Sequence, residues 1–359
     1  MTPLSAPVPD VARVVPKFRA HHGNRPMLAR DADSMYWMSR YVERAEHVAR
    51  LLLVNSNLLM DVGDLAPTLE QKQWQSVMVV MRLDPALPGG DGGHNGSAAG
   101  GLLATHGTLA TRVGLHMTLD PANPNSILNC ITKARENARA IRENISAEMW
   151  ESLNTLYWSL KDDAVIRARL EDAPEEFYRA IMGGSHLFQG LADQTLAHDQ
   201  GWHFAQLAKY LERADVTCRV IETRFDILRS ADTLMAGALR NIHWMGVLRS
   251  CCSIEYYRRQ HVGDLDPIKV ASFLLLEPGF PRSVRFAVQR ALGAMCAIRS
   301  EVNPLAIDPA ERILGRLNAD LEYAEASEIM AEGLPNYLLR IQNDLDEAAL
   351  AMQKNYFMV

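Results

Sequence analysis

Cysteine is scarce and unpatterned in this chain. Cys130, Cys218, Cys251, Cys252 and Cys296 make five, an odd number, with no Cys-x-x-Cys and no zinc-type spacing to histidine. A disulfide framework and a zinc ribbon are therefore not expected, and the thiols read as reduced and mostly buried. Long apolar runs are missing too. No stretch approaches the roughly 18 to 20 uninterrupted apolar residues of a membrane span, and the N-terminus lacks the compact apolar core of a secretory signal, so a cytoplasmic protein is expected. Positive charge is not in excess: a formal net charge of -6 argues against a generic nucleic-acid or anionic-membrane surface. Neither Gly-x-Gly-x-x-Gly, a Walker loop, a Gly-x-Ser-x-Gly elbow nor any Glu-x-x-His occurs. Hairpin signals are equally scarce.

What is present is helical periodicity. From Ser126 to Met149 the residues Ile127, Ile131, Ala134, Ala138, Ile141 and Ile145 form one stripe stepping by four and three, so a single long helix is expected there, capped at Asn125/Ser126. The class is all-α. Helices are expected at about 32–61, 70–83, 126–148, 149–170 and 174–198, then at about 199–229, 231–262, 267–277, 282–302, 309–329 and 334–355. Residues 1–26, rich in proline and polar residues, read as a tail, with Met27 a candidate natural start.

The chain also repeats itself. "YVERAEHVARLL" from Tyr41 and "YLERADVTCRVI" from Tyr210 lie 169 residues apart and superpose Glu43 on Glu212, Arg44 on Arg213, Glu46 on Asp215 and Arg50 on Arg219. "PNSILNCITKARENARAIR" from Pro124 matches "PRSVRFAVQRALGAMCAIR" from Pro281 at an offset of 157. The two offsets differ by 12, about the length of the glycine-rich "GGDGGHNGSAAGG", Gly89 to Gly101, which reads as a flexible insertion in the first copy. Two tandem copies, 27–198 and 199–359, would pack about a pseudo-twofold axis as a helical bundle.

The charged residues leave alternatives open. Glu46/Arg50 and Asp215/Arg219 have the i, i+4 spacing of a helical ion pair, with a solvated stripe the favoured reading. Glu43/Arg44 and Glu212/Arg213 are adjacent, point about 100° apart and must find partners on other helices. The expected partners lie in "ARENARAIREN": Arg135, Glu136 and Asn137 recur as Arg142, Glu143 and Asn144 two turns on, with Arg139 between them. One reading is a satisfied polar network that fixes helix register. The other is a carboxylate- or phosphate-binding pocket built from these arginines with Arg44, Arg213 and Arg282. A metal site at Glu43/His47 is not expected, because Val216 replaces His47 in the second copy. Ser185-His186, Asp199/His203 and Cys251-Cys252 offer no convincing nucleophile or acid–base arrangement.

Together, "MLARDADSMYWMSRYVERAEHVARLL", "NPNSILNCITKARENARAIRENISAEMWESLN", "GWHFAQLAKYLERAD" and "FPRSVRF" resemble the alpha-E domain family of bacterial proteins, from Met27 nearly to the end. The resemblance implies a duplicated helical domain whose Glu-Arg motifs map to Glu43/Arg44 and Glu212/Arg213. It also implies association with a peptide synthesis or modification system containing circularly permuted ATP-grasp amide ligases, transglutaminase-like proteases and NTN-hydrolase-type peptidases. No cofactor is expected in this chain, ATP and Mg being expected on a partner ligase. A peptide or amino-acid-like substrate is compatible with that setting. An enzyme of acyl or aminoacyl transfer or amide cleavage, and a purely architectural scaffold, are the rival expectations.

Overall fold

The computed structural model describes residues 27–62, 67–84, 108–230, 237–261, 263, 265–302 and 307–358. The expected tail, 1–26, and the glycine-rich insertion, 89–101, lie outside these residues. Fifteen helices and no strand occur among the described residues. The first seven are α1 (Ala29–Val62), α2 (Pro67–Val80), α3 (Leu109–Thr118), α4 (Ile127–Ala140), α5 (Ala147–Trp158), α6 (Asp163–Asp172) and α7 (Pro174–Thr195). After them come α8 (Gln200–Ser230), α9 (Gly237–Ser250), α10 (Ile254–Gln260), α11 (Pro267–Leu276), α12 (Val284–Val302), α13 (Pro309–Tyr323), α14 (Ala326–Glu332) and α15 (Leu334–Tyr356). No described helix is long and apolar enough to cross a membrane.

Several helices are shorter than the periodicity predicts. The stripe from Ser126 to Met149 is split, because the chain leaves helical geometry at Ile141 and re-enters behind Ser146, whose Oγ accepts the Met149 amide at 3.2 Å. A serine that caps a new helix competes with continuation of the old one. The apolar pattern survives the break because Ile141 and Ile145 both stay buried. Asp162 starts α6 in the same way, so the expected 149–170 helix is two. The described part of the helix expected over 231–262 likewise divides into α9 and α10, its residues 231–236 and 262 lying outside the described residues, and 309–329 divides into α13 and α14. Ser126 does cap α4, accepting the Asn129 amide.

α1 and α8 form the centre. Both are apolar nearly all round, as a helix surrounded by others must be, and most of their apolar residues between Met35 and Leu53 and between Phe204 and Ile221 belong to one contiguous core. Ser39 Oγ donates to the Ala205 carbonyl at 2.8 Å, Arg44 pairs with Glu212, Arg213 with Glu43, and Arg224 Nη2 donates to Asn55 Oδ1 at 3.1 Å. The sequence separation of these partners stays between 166 and 170. A constant difference, rather than a constant sum, means that the helices run parallel and nearly in register. The contact from Ser39 to Asn55 is about 24 Å long at the α-helical rise.

Around this pair, α4, α7 and α9 pack on α1 and α2, α12 and α15 pack on α8. α9 comes so close to α1 that a Cβ at Gly246 would lie 2.6 Å from Leu58 Cδ1, which is why glycine serves there. α2 and α9 end alike. Arg82 and Cys252, with φ of 57° and 54°, each turn left-handed while Leu83 N bonds Met78 O and Ser253 N bonds Leu248 O, five residues back. This is the Schellman ending, here without glycine.

Candidate functional site

The Glu-Arg motifs meet each other. Arg213 on α8 holds Glu43 on α1, its Nε 2.7 Å from Oε1 and its Nη2 3.0 Å from Oε2. Arg44 on α1 holds Glu212 on α8 in the same two-pronged manner, at 2.6 and 2.8 Å. Parallel, in-register helices explain this exchange: adjacent residues cannot pair along their own helix, but each guanidinium lies within reach of the opposite carboxylate. Both carboxylates are completely buried.

The two halves of the clasp are finished differently. Glu212 receives a second guanidinium from Arg40, Nε to Oε2 at 2.7 Å, and Arg40 also donates to the Tyr36 hydroxyl at 2.5 Å. Arg44 Nη1 donates to Asn125 Oδ1 at 3.0 Å. Glu43 is completed by the Gln189 amide from α7 and by His47, whose Nε2 stands 3.3 Å from Oε1. Arg282, at the position equivalent to Asn125, approaches Glu43 at 3.8 Å and donates to Glu46 Oε2 at 2.9 Å.

Glu46/Arg50 and Asp215/Arg219 form the expected i, i+4 pairs, Nε to carboxylate at 2.8 and 3.1 Å. They are not a solvated stripe. All four are buried, Glu46 and Arg50 beside His186 of α7 and Arg282, and Asp215 and Arg219 beside the end of α2. Arg219 also donates to the Val80 carbonyl, and Arg82 from the end of α2 reaches Asp215 at 3.1 Å. Four buried carboxylates thus face the five buried guanidiniums of Arg40, Arg50, Arg213, Arg219 and Arg282 and the half-buried one of Arg44.

Burial opposes the charge of Glu43, but Arg213, with His47 and Arg282, outweighs it and holds the carboxyl well below its ordinary range. For Glu46 burial is outweighed by Arg282, His186 and Arg50, and for Glu212 by Arg44 and Arg40, again with the carboxyl held low. These acids stay ionised near neutrality and are occupied on both oxygens. As an exchanging proton donor and acceptor pair they are poorly placed.

Glu43, Glu46 and His47 each bring a ligand atom within 4.8 Å of the others. The donor set does not suit a cation. Arg213, Arg282 and Arg50 already occupy the two carboxylates, and Arg282 Nη1 lies 3.3 Å from His47 Nδ1. A divalent ion would have to enter against three guanidiniums.

The "ARENARAIREN" residues do not join this cluster. α4 turns their side away from α1 and towards α5 and solvent. Arg135 bonds Asn154 Oδ1 at 2.8 Å and stacks over Tyr157 and Trp150, while Arg142 also lies over the Trp150 ring, at 5.2 Å. Glu136, Arg139, Arg142 and Glu143 are exposed; Asn137 bonds its own helix at Lys133 O, and Asn144 sits half-buried in the turn. Stacking on α5 takes up Arg135 and Arg142, and Arg139 stays in solvent near Glu136. The expected anion pocket of Arg44, Arg213 and Arg282 is likewise filled by Glu212, Glu43 and Glu46.

Arg40, Tyr36 and Gln189 were invisible to motif reading. Arg40 had one available signal, its position one turn before Arg44. Lys209 stands at the corresponding place before Arg213. Burial, then Arg213, pushes the Lys209 ammonium down to about 8, with Asp193 and Glu43 opposing.

Fold and site together define an all-α protein organised around a buried, reciprocal Glu-Arg clasp between two parallel helices. The chain belongs to the Alpha-E family, described as "a predicted alpha-helical domain with a conserved ER motif", which matches residues 27–357. Uncharacterized proteins of Mycobacterium bovis and of Mycobacterium tuberculosis strains are 24% identical over 314 residues, covering 84% of this chain and 33% of theirs. The chain therefore spans about a third of the length of these curated relatives. No solved structure matches it.

Proposed function

We propose that this chain is a helical accessory or substrate-binding component of a bacterial peptide synthesis or modification system, working beside a circularly permuted ATP-grasp amide ligase. The observation that carries this reading is the state of the motif itself. Glu43 and Glu212, the acid and base a stand-alone enzyme would draw on, are each clamped on both oxygens by a guanidinium in the interior. The family's defining residues thus hold two helices together, and the reacting groups are supplied by a partner. The length of the relatives supports the same reading, since a matching region that fills a third of a chain leaves room there for another unit. ATP and Mg belong to that ligase, and a transglutaminase-like protease is a further partner of the same system.

The test is to tag the protein at native level in its host, identify what co-purifies, and assay amide formation from ATP with and without this chain. Recovery of an ATP-grasp ligase whose product yield falls when the chain is omitted is the expected result. Recovery of the chain alone under gentle crosslinking, with turnover by the chain itself, would overturn it in favour of an acyl-transfer or amide-cleaving enzyme.

A further inference from the structure

Beside the clasp, α7, α8 and α12 border an open cleft of about 730 Å³. Its volume lies in the range that takes a small organic ligand. Trp202, Tyr210 and Phe286 give it three aromatic walls, the last two with ring centroids 6.1 Å apart, and the Trp202 ring is backed by His198 in a stack at 4.0 Å. Two cations attend it. Arg290, exposed on α12, lines the cleft and lies over the Phe286 ring at 5.1 Å. Lys209 lies behind Tyr210, its Nζ 4.9 Å from the ring centroid, and is only 6% exposed. Among the described residues its ammonium makes no hydrogen bond and no ion pair. One carboxylate, Asp193, lies at the rim and accepts a hydrogen bond from Gln206 at 3.3 Å.

A buried ammonium without a partner is costly, and such a group is ordinarily paired. Its counterpart explains the vacancy. Arg40, at the same register of α1, spends its charge on Glu212, but the equivalent carboxylate on this side, Glu43, is already engaged by Arg213, Gln189 and Arg282. Lys209 is left behind the Tyr210 wall of a cleft whose own lining charges, Arg290 and Asp193, cancel. A net positive charge therefore stands beside the aromatic slot, behind Tyr210.

We propose that the α8–α12 cleft binds a carboxylate-bearing, partly apolar molecule of the acylated amino-acid or peptide type, its carboxylate drawn to Lys209 and Arg290 and its apolar part against Trp202, Tyr210 and Phe286. This deepens the substrate-binding half of the function proposed above, and it needs no partner to be measured.

The experiment is calorimetric titration of the full chain with N-acetyltryptophan, its amide and phenyl phosphate, repeated on Lys209→Met and Arg290→Gln with the fold of each checked by thermal melting. The expected result is binding of N-acetyltryptophan, weakened about tenfold or more by either substitution, as loss of a charged hydrogen bond requires. The amide should bind at least about tenfold more weakly than the acid. Equal binding of acid and amide, no binding of the acid, or preference for phenyl phosphate would overturn the assignment. Arg290 is exposed, so its variant keeps the test valid should Lys209→Met fail to fold. Capture of a ligase with no binding here would remove this site alone; binding here with no capture would remove the partner reading alone.

Discussion

Lys209 and Arg40 occupy the same register on two parallel helices, yet only Arg40 has a carboxylate, Glu212, 2.7 Å from its Nε. One cation is part of the clasp; the other is held beside it. Replacing Arg40 with methionine is expected to lower stability by about 1 to 3 kcal/mol, the value of a charged hydrogen bond removed from a buried partner. Lys209→Met should change it by less than about 1 kcal/mol, because burying the ammonium is itself unfavourable. Urea denaturation of the two variants separates them, and a larger loss at Lys209 would contradict the described arrangement.

The reciprocal pairs should be strongly coupled. Arg44→Met leaves Glu212 short of two hydrogen bonds and is expected to cost about 3 to 5 kcal/mol, as is Glu212→Leu. The double variant should lose clearly less than the sum, leaving an interaction energy of about 1 to 3 kcal/mol. A cycle that closes additively would mean that the two side chains do not meet in solution.

Stability should rise with pH in two windows. His243, fully buried beside Gln73, is pushed down to about 4 by burial and then by Arg224. Between about 4 and the ordinary 6.5 the unfolded chain then binds the extra proton, so stability increases with pH there, by up to about 3 kcal/mol. Below that, Glu43, Glu46 and Glu212 are held lower than their unfolded values, and their contribution is lost as pH falls through the ordinary carboxylate range of about 4.3 and beyond. Chemical denaturation from pH 3.5 to 7.5 measures both, and His243→Gln should flatten the upper window only.

Thiol reactivity should be low. Cys130 and Cys251 are pushed up to about 12 and Cys218 well above its ordinary value, each by burial first. A thiolate-selective reagent at pH 7.5 is expected to modify no more than Cys252 and Cys296 in the folded protein, and all five cysteines in denaturant. Rapid reaction of three or more would show that the core opens.

The helical class and most helix positions were legible because apolar periodicity reports burial directly. The breaks at Ile141 and Ser146 were not, since a turn that keeps Ile141 and Ile145 facing inward leaves the stripe intact. The repeated motif pointed to Glu43, Arg44, Glu212 and Arg213, and adjacency along one helix showed that their partners lie elsewhere. Which elsewhere was hidden: the nearest rich source of charge, Arg135 to Asn144, stacks on Trp150 and Tyr157, and nothing in either motif states that the other lies opposite. The burial of Glu46, Arg50, Asp215 and Arg219 depends on helices far away in the chain, so the i, i+4 spacing alone misplaced them at the surface.

Because α1 and α8 run in the same direction, the chain must return across the molecule before the second helix can be laid down. At the roughly 5 to 20 residues per second of synthesis, α1 leaves the ribosome on the order of ten to thirty seconds before α8 exists. Through that interval Glu43 and Glu46 have only part of their cationic shell, and the all-round apolar surface of α1 has no permanent neighbour on one side. The newborn chain is thus most exposed to aggregation and to chaperone capture at mid-synthesis, and the arrival of Arg213 and then of Arg282 ends it.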